Sequence, residues 1–302
     1  MRNVIRPRLI LLFTLSVILF SLTCPLVSHS STLYERSLKK LEANLKTASS
    51  DDFVFAVLGD SRDNDEMFRK VLSEVAKVQP LFILHGGDIV NTGTEKRFNR
   101  FFDIVDSTIP DIPLFVFMGN HELTYNMKSE GGKKLFREKI GPLNYTLDMK
   151  KIAIRIVGLD NSLDELTKYQ LDYLEKQLTS ARKYKFVIMH MPPETQKWKH
   201  GHCFSKGADK LIHIMAEKKV SVAFFSHLHL YAQDEIKGVK YIITGGSAAP
   251  LHTKVPFGEP TNHFVVVRVK NGKVTTEVVR VLSDVTRTNL QKDTITRKFY
   301  VW

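Results

Sequence analysis

The stretch Leu114-Phe115-Val116-Phe117-Met118-Gly119-Asn120-His121-Glu122 decides how the chain folds. An apolar run of strand length stops at a glycine, and an amide, an imidazole and a carboxylate follow at once. Such residues build a poor core. They hold a reacting group well at a strand's carboxyl end, where open α/β sheets place their sites. Other strand ends must supply the partners.

Upstream, Phe53-Val54-Phe55-Ala56-Val57-Leu58 is a second apolar run of strand length, ended by Gly59. After the polar turn Asp60 to Asn64, Phe68, Val71, Leu72 and Val75 recur at helical spacing. Leu81 to Leu84 then runs into Gly86-Gly87-Asp88, and Phe98, Phe101, Phe102 and Val105 mark another helix. Strand alternating with helix predicts parallel pairing with right-handed crossovers. Downstream, Ile152 to Val157 and Phe186 to Met189 flank a helix carrying Leu171, Leu174 and Leu178, and Val220 to Phe225 follows a helix carrying Leu211, Ile214 and Met215. Tyr241 to Thr244, Phe264 to Val269 and Val274 to Val281 come with short turns such as Asn271-Gly272, which predicts antiparallel hairpins. The fold class is therefore α/β, with two mixed β-sheets covered by helices as the simplest layered arrangement.

A chain of 302 residues that is 43% hydrophobic can bury a sizeable core, and one domain is expected. The formal charge of +12 falls to +9 without Arg2, Arg6 and Arg8. This basic balance suits anionic or phosphorylated substrates; nucleic-acid binding is not expected, because Lys and Arg are interspersed with acidic residues. Residues 1–30 read as a signal peptide or N-terminal membrane anchor: a basic start, the apolar run Leu9 to Leu22, then a polar exit with Ser28 and Ser30 near a cleavage point. The expected location is exported, periplasmic or secreted. Cys24 also admits a lipoprotein reading, through a poor version of the lipid-attachment pattern. Cleavage leaves Cys203 as the one cysteine, so no internal disulfide supports the fold. Residues 31–51 form a helical spacer or packing helix, with Leu33, Leu38, Leu41 and Leu45 on one face; residues 284–302 form a polar tail with an apolar end.

Five polar clusters follow predicted strands: Gly59-Asp60-Ser61-Arg62, Gly87-Asp88-Ile89-Val90-Asn91, Gly119-Asn120-His121-Glu122, His190-Met191-Pro192-Pro193 and Ser226-His227-Leu228-His229. Brought to one edge of the sheets they make a mixed oxygen and nitrogen metal site. In order and residue type they resemble the calcineurin-like metallophosphoesterase family, from about Phe53 to Val281, and five clusters together are far more specific than one. A domain of residues 52–283 follows, with its metal site at strand C-terminal ends in a four-layer α-β-β-α sandwich.

The resemblance implies two divalent ions of manganese, iron, zinc or cobalt. Asp60, Asp88 and His229 match ligands of one; Asp88, Asn120, His190 and His227 match ligands of the other, with Asp88 bridging. The ions would share a hydroxide that attacks phosphorus, while His121, the family's non-ligand histidine, assists the leaving group. Asn91 stands where some members carry the acid that orients that histidine, and where the iron-binding tyrosine of purple acid phosphatases would stand. Arg62 replaces the commonest metal-binding histidine of the first motif; an arginine cannot ligate a cation, but its fork can hold phosphate. A weaker first metal and a substrate clamp at Arg62 are therefore expected. Ser226 replaces the usual Gly before His-x-His, a mild departure.

The implied activity is hydrolysis of a small phosphate ester. The alternatives are a phosphodiesterase acting on nucleotides or cyclic nucleotides, and a non-catalytic phosphate-ligand binder with a degenerate first site. The loops Tyr125 to Gly132 and Glu194 to Gly207 would select the substrate. His200, Gly201, His202 and Cys203 read as a substrate-side loop or plain polar surface, and Gly245 to Pro250 as close packing near the site. His85 and His263 read as structural, and Glu122 as a support for its neighbours.

Overall fold

The chain alternates strands and helices from Asp52 onward. The computed structural model describes residues 31–123, 130–199 and 201–282. The leader expected over 1–30, the tail from Asp284, most of the Tyr125 to Gly132 loop and His200 lie outside them. The helices are α1 (Leu33–Thr47), α2 (Asp65–Lys77), α3 (Glu95–Thr108), α4 (Glu130–Lys139), α5 (Lys168–Leu178) and α6 (Ala208–Glu217). The strands are β1 (Asp52–Leu58), β2 (Ile83–His85), β3 (Leu114–Val116), β4 (Tyr145–Met149), β5 (Ile154–Gly158), β6 (Tyr184–Ile188), β7 (Val222–Phe225), β8 (Tyr231–Ile236), β9 (Val239–Thr244), β10 (His263–Lys270) and β11 (Lys273–Arg280).

They form two mixed sheets, ordered β11-β10-β1-β2-β3 and β4-β5-β6-β7-β9-β8. The period-two alternation of strand side chains sorts the core into three layers. From β1, Phe53, Phe55 and Val57 point between the sheets, whereas Ala56 and Leu58 point out under α2 and α3. From β6, Phe186 and Ile188 join the inter-sheet layer, and Val187 faces the cluster that includes Leu171, Leu174, Leu211 and Ile214 of α5 and α6. Helices therefore cover the outer faces, which is the expected four-layer arrangement.

Helix α1 starts with a capping box: the Thr32 hydroxyl accepts from the Glu35 N–H, and the Glu35 carboxylate accepts from the Thr32 N–H. It packs on the body. Ser37 Oγ donates to the Leu114 carbonyl (2.7 Å) and accepts from the Leu114 N–H (3.1 Å), occupying the open edge of β3. Tyr34 meets Phe115 and Tyr145 edge-on. The segment read as a spacer thus contributes to the core through Leu33 and Leu41.

One pairing differs from the expectation. The hairpin partner of β9 is β8, and on its other side β9 runs parallel to β7, while β10 and β11 pair in the first sheet. The polar strand β8 has one open face, so no apolar run announced it. Strand β1 runs parallel to β2, and β2 to β3, as the sequence predicted. Their carboxyl ends, with those of β5, β6 and β7, carry the polar clusters. Among the described residues no helix is long and apolar enough to cross a membrane.

Candidate metal centre

The turns after β1 and β2 bend sharply where their carboxylates lie. Asp60 (φ 57°) and Asp88 (φ 56°) both sit in the left-handed region, as does His227 (φ 67°) after β7. Side chains adopt it at a cost, and here it aims them inward. The turns hold each other: the Asp60 N–H donates to the Gly87 carbonyl (3.0 Å), and the Arg62 N–H to the Asp88 carbonyl (3.3 Å). Ser226 explains its own departure from glycine. A Cβ at Gly59 or Gly86 would come within 2.0 or 2.1 Å of Ser226 Oγ, so those two glycines make room for its side chain.

Two groups of donors result, Asp60 with Asp88 and His229, and Asp88 with His190 and His227, with the ligand atoms of each group within 4.8 Å of one another. Asp88 belongs to both. In the second group His190 Nδ1–H donates to the Gly86 carbonyl (2.8 Å), which turns Nε2 inward. Nε2 lies 2.9 Å from Asn120 Oδ1, 3.1 Å from His227 Nδ1 and 3.3 Å from Asp88 Oδ1. Imidazole nitrogens, an amide oxygen and a carboxylate oxygen gathered at such distances form a donor set that suits a divalent cation. In the first group His229 Nδ1–H donates to the Pro250 carbonyl (2.6 Å), turning Nε2 toward Asp60 Oδ1 at 3.4 Å. Among the described residues the buried carboxylate oxygens Asp60 Oδ1 and Asp88 Oδ2 have no hydrogen-bond donor, although Arg62 Nε stands 3.5 Å from the latter; this is a second sign that the residues fit metal ions. Burial works to raise the Asp88 carboxyl, but the His190, His121 and His227 imidazoles outweigh it and hold the group down at about 2.

The six expected ligands therefore meet at one place. The three expected catalytic residues fare differently. His121 lines the cavity with its Nε2 3.9 Å from Asp88 Oδ2, and its Nδ1–H donates to a carbonyl oxygen at 3.0 Å. That carbonyl is the main chain of Asn91, a residue that lines a neighbouring groove beside α3 and not the metal cavity. Arg62 lines both. It is ion-paired with Asp63 and faces Asp88, with Nε 3.5 Å from Oδ2. The cavity is about 390 Å³, and His202, His252, Ser162, Leu163 and Asp164 also line it.

Supports lie behind these groups. Glu122 accepts four main-chain N–H donors, from Asp88 (3.0 Å), Ile89 (2.7 Å), Val90 (3.3 Å) and Gly119 (2.6 Å), and so ties the Asp88 turn to the Asn120 turn. Burial, then the Asp88 charge, push its carboxyl up to about 7, against the pull of those donors. His85 is neutral: burial lowers it to about 3, its Nδ1 accepts from the Gly87 N–H (3.2 Å), and its Nε2–H donates to Ser61 Oγ (2.9 Å). The nitrogen facing Ser61 carries the proton, so the pair is not a nucleophile with its base. Instead, His85 links the Asp60 and Asp88 turns.

Sequence reasoning missed Asn161 and His252. Asn161 Oδ1 accepts from the His190 and Met191 N–H groups (3.1 and 3.0 Å), and its Nδ2 donates to the Met191 carbonyl (2.8 Å), which fixes the His190 turn. The signal was present. Asp160-Asn161-Ser162 follows the strand β5 as the other clusters follow theirs. Of the loop His200 to Cys203, His202 reaches the site, with Nδ1 3.2 Å from His227 Nε2, while Cys203 packs on the core beneath α6.

Residues 53–231 match the family model described as calcineurin-like phosphoesterase. A probable glycerophosphodiester phosphodiesterase (GpdQ) of Arcobacter nitrofigilis is 31% identical over 123 residues, covering 39% of this chain and 44% of that protein. A probable cyclic nucleotide phosphodiesterase of Ruthia magnifica is 25% identical over 213 residues, covering 68% of this chain and 85% of that protein. Among solved structures, a purple acid phosphatase from yellow lupin seeds superposes with a TM-score of 0.62 at 15% identity, over 77% of this chain and 52% of that one. The chain thus spans about half the length of the first and the last of these. With more than half of its length matched and its strand-end clusters gathered around one carboxylate, the chain belongs to the calcineurin-like phosphoesterase family.

Proposed function

We propose that the protein is a hydrolase of phosphate esters that uses two divalent metal ions. The observation that carries this reading is the convergence of two donor groups on Asp88, with His190 Nε2 turned by the Gly86 carbonyl toward Asn120 Oδ1, His227 Nδ1 and Asp88 Oδ1. Asp60, Asp88 and His229 would hold one ion; Asp88, Asn120, His190 and His227 the other. When bound, such ions supply a water nucleophile of lowered pKa and positive charge for the phosphoryl oxygens.

The chain's own groups do the rest. Arg62 stands at the cavity edge beside Asp88, where its guanidinium binds a phosphoryl oxygen of the substrate. His121 has its Nδ1–H committed to the Asn91 carbonyl, so Nε2 faces the cavity and, when protonated, gives its proton to the leaving oxygen. Leu163 and Met191 add apolar surface to the cavity lining for the esterified group.

Among phosphate esters we favour diesters, because both curated relatives above carry names of phosphodiesterases. Export, read from residues 1–30, is part of the proposal. The test is turnover of bis(p-nitrophenyl) phosphate against p-nitrophenyl phosphate by metal-loaded protein, with metal counted per chain. Two ions and faster diester cleavage support the reading. Fewer than two ions, or no turnover of either ester with manganese, iron, zinc or cobalt, overturns it and favours a phosphate-ligand binder.

A further inference from the structure

The first donor group is short of ligands, yet its geometry is tightly held. A single loop, residues 245–252 after β9, grips both of its outer members. The Ala248 and Ala249 N–H groups donate to the Asp60 carbonyl (3.1 and 2.9 Å), and the Ser247 N–H donates to the Gly59 carbonyl (3.1 Å). The Gly59 N–H returns a hydrogen bond to Ser247 Oγ (3.1 Å). At its far end the loop takes hold of His229. The Pro250 carbonyl accepts from His229 Nδ1–H (2.6 Å), the His252 N–H donates to the His229 carbonyl (3.1 Å), and His252 Nδ1 accepts from the His229 N–H (3.4 Å). The two rings stack with centroids 4.1 Å apart and planes at 29°. His229 is thus bracketed by His252 on its main chain and on one ring face.

We propose that His252 is a positioning residue for the first metal ion, acting through His229. The inference rests on the reading of Asp60, Asp88 and His229 as metal ligands. With Arg62 in place of a further ligand, no other side chain of the first motif completes this group among the described residues. Affinity then depends on how well three donors are preorganised, and groups that orient metal ligands change affinity about 10–100-fold when removed. The second group depends on it less directly: His190 is fixed by the Gly86 carbonyl and by Asn161, and His252 reaches His227 only by way of the His202 ring.

The experiment measures metal content and affinity, with manganese or zinc alone as titrant, in wild type, His252→Ala and His252→Asn. Asparagine places Oδ1 near the position of Nδ1 and so still accepts the His229 N–H. The expected result is two ions in wild type, one of the two weakened at least about tenfold in His252→Ala, and recovery of most of that loss in His252→Asn. Wild-type affinity for both ions in His252→Ala overturns the inference, as does equal weakening of both. If His252→Ala does not fold, His252→Phe keeps a ring beside His229 without the acceptor: one weakened ion supports the inference, and two unchanged ions overturn it. A wild type that binds fewer than two ions overturns the underlying metal-site reading instead, and is told apart because it needs no variant.

Discussion

Arg62 Nε lies 3.5 Å from Asp88 Oδ2, so the carboxylate common to both donor groups already faces a fixed cation. A charged hydrogen bond to a phosphoryl oxygen contributes about 1.5–3 kcal/mol. Arg62→Ala should therefore raise KM for a phosphate ester about 10–100-fold. Arg62→His should do the same while tightening one metal ion, since it supplies a further imidazole at the first group. Steady-state kinetics and a metal titration check both, and an unchanged KM in Arg62→Ala would refute the clamp.

His121 and Asn120 are neighbours with separate tasks. His121→Ala should lower kcat about 10²–10⁴-fold, the usual contribution of a general acid, with both ions retained. Asn120→Ala should weaken one ion, because its Oδ1 is 2.9 Å from His190 Nε2. Asn91 makes the sharper test. Its main-chain carbonyl makes the hydrogen bond to His121, so Asn91→Ala should leave kcat within about twofold, as expected of a surface substitution. A large loss in Asn91→Ala would show that its amide acts.

The candidate ligands were legible because each ends or follows an apolar run strong enough to identify a strand, and the order of such runs is a property of the chain alone. His252 was not legible. Its contact with His229 joins two loops separated by β8 and β9, and nothing local to Leu251-His252-Thr253 signals it. Strands β4 and β8 escaped for another reason. Both are edge strands of the second sheet, with residues such as Asp148, Gln233 and Glu235 facing solvent, so polar residues interrupt them where a strand buried on both faces reads as a continuous apolar run. The Asn91 contact with His121 was not legible because a sequence names side chains, and this contact belongs to the backbone.

Glu122 is a carboxylate that no amide can replace. Its two oxygens accept four N–H donors, whereas glutamine offers one oxygen and turns a donor toward the rest. Leaving buried N–H groups without acceptors costs about 1–3 kcal/mol each. Glu122→Gln should lower stability by about 2 kcal/mol or more and loosen both ions together, since it frees the turn carrying the shared Asp88. Denaturant unfolding and metal titration read the two effects, and loss of one ion alone would contradict this role.

His263 ties stability to pH. It is fully buried, its Nδ1–H donates to the Thr261 carbonyl at 2.8 Å, and its Nε2 has no hydrogen-bond partner among the described residues. Burial lowers its pKa from 6.5 to about 4. Between those values the unfolded chain binds the proton and the folded one does not. The stabilisation is therefore complete above pH 6.5 and drains away as pH falls toward 4, by about 1 kcal/mol per pH unit. His263→Asn keeps a donor for Thr261 but does not titrate. It should be less stable than wild type at neutral pH, where the ring's packing is lost, and the gap should narrow by about 1 kcal/mol between pH 6 and pH 5. Urea unfolding of both proteins at the two pH values measures the gap, and a constant difference would show that His263 is not the group that titrates.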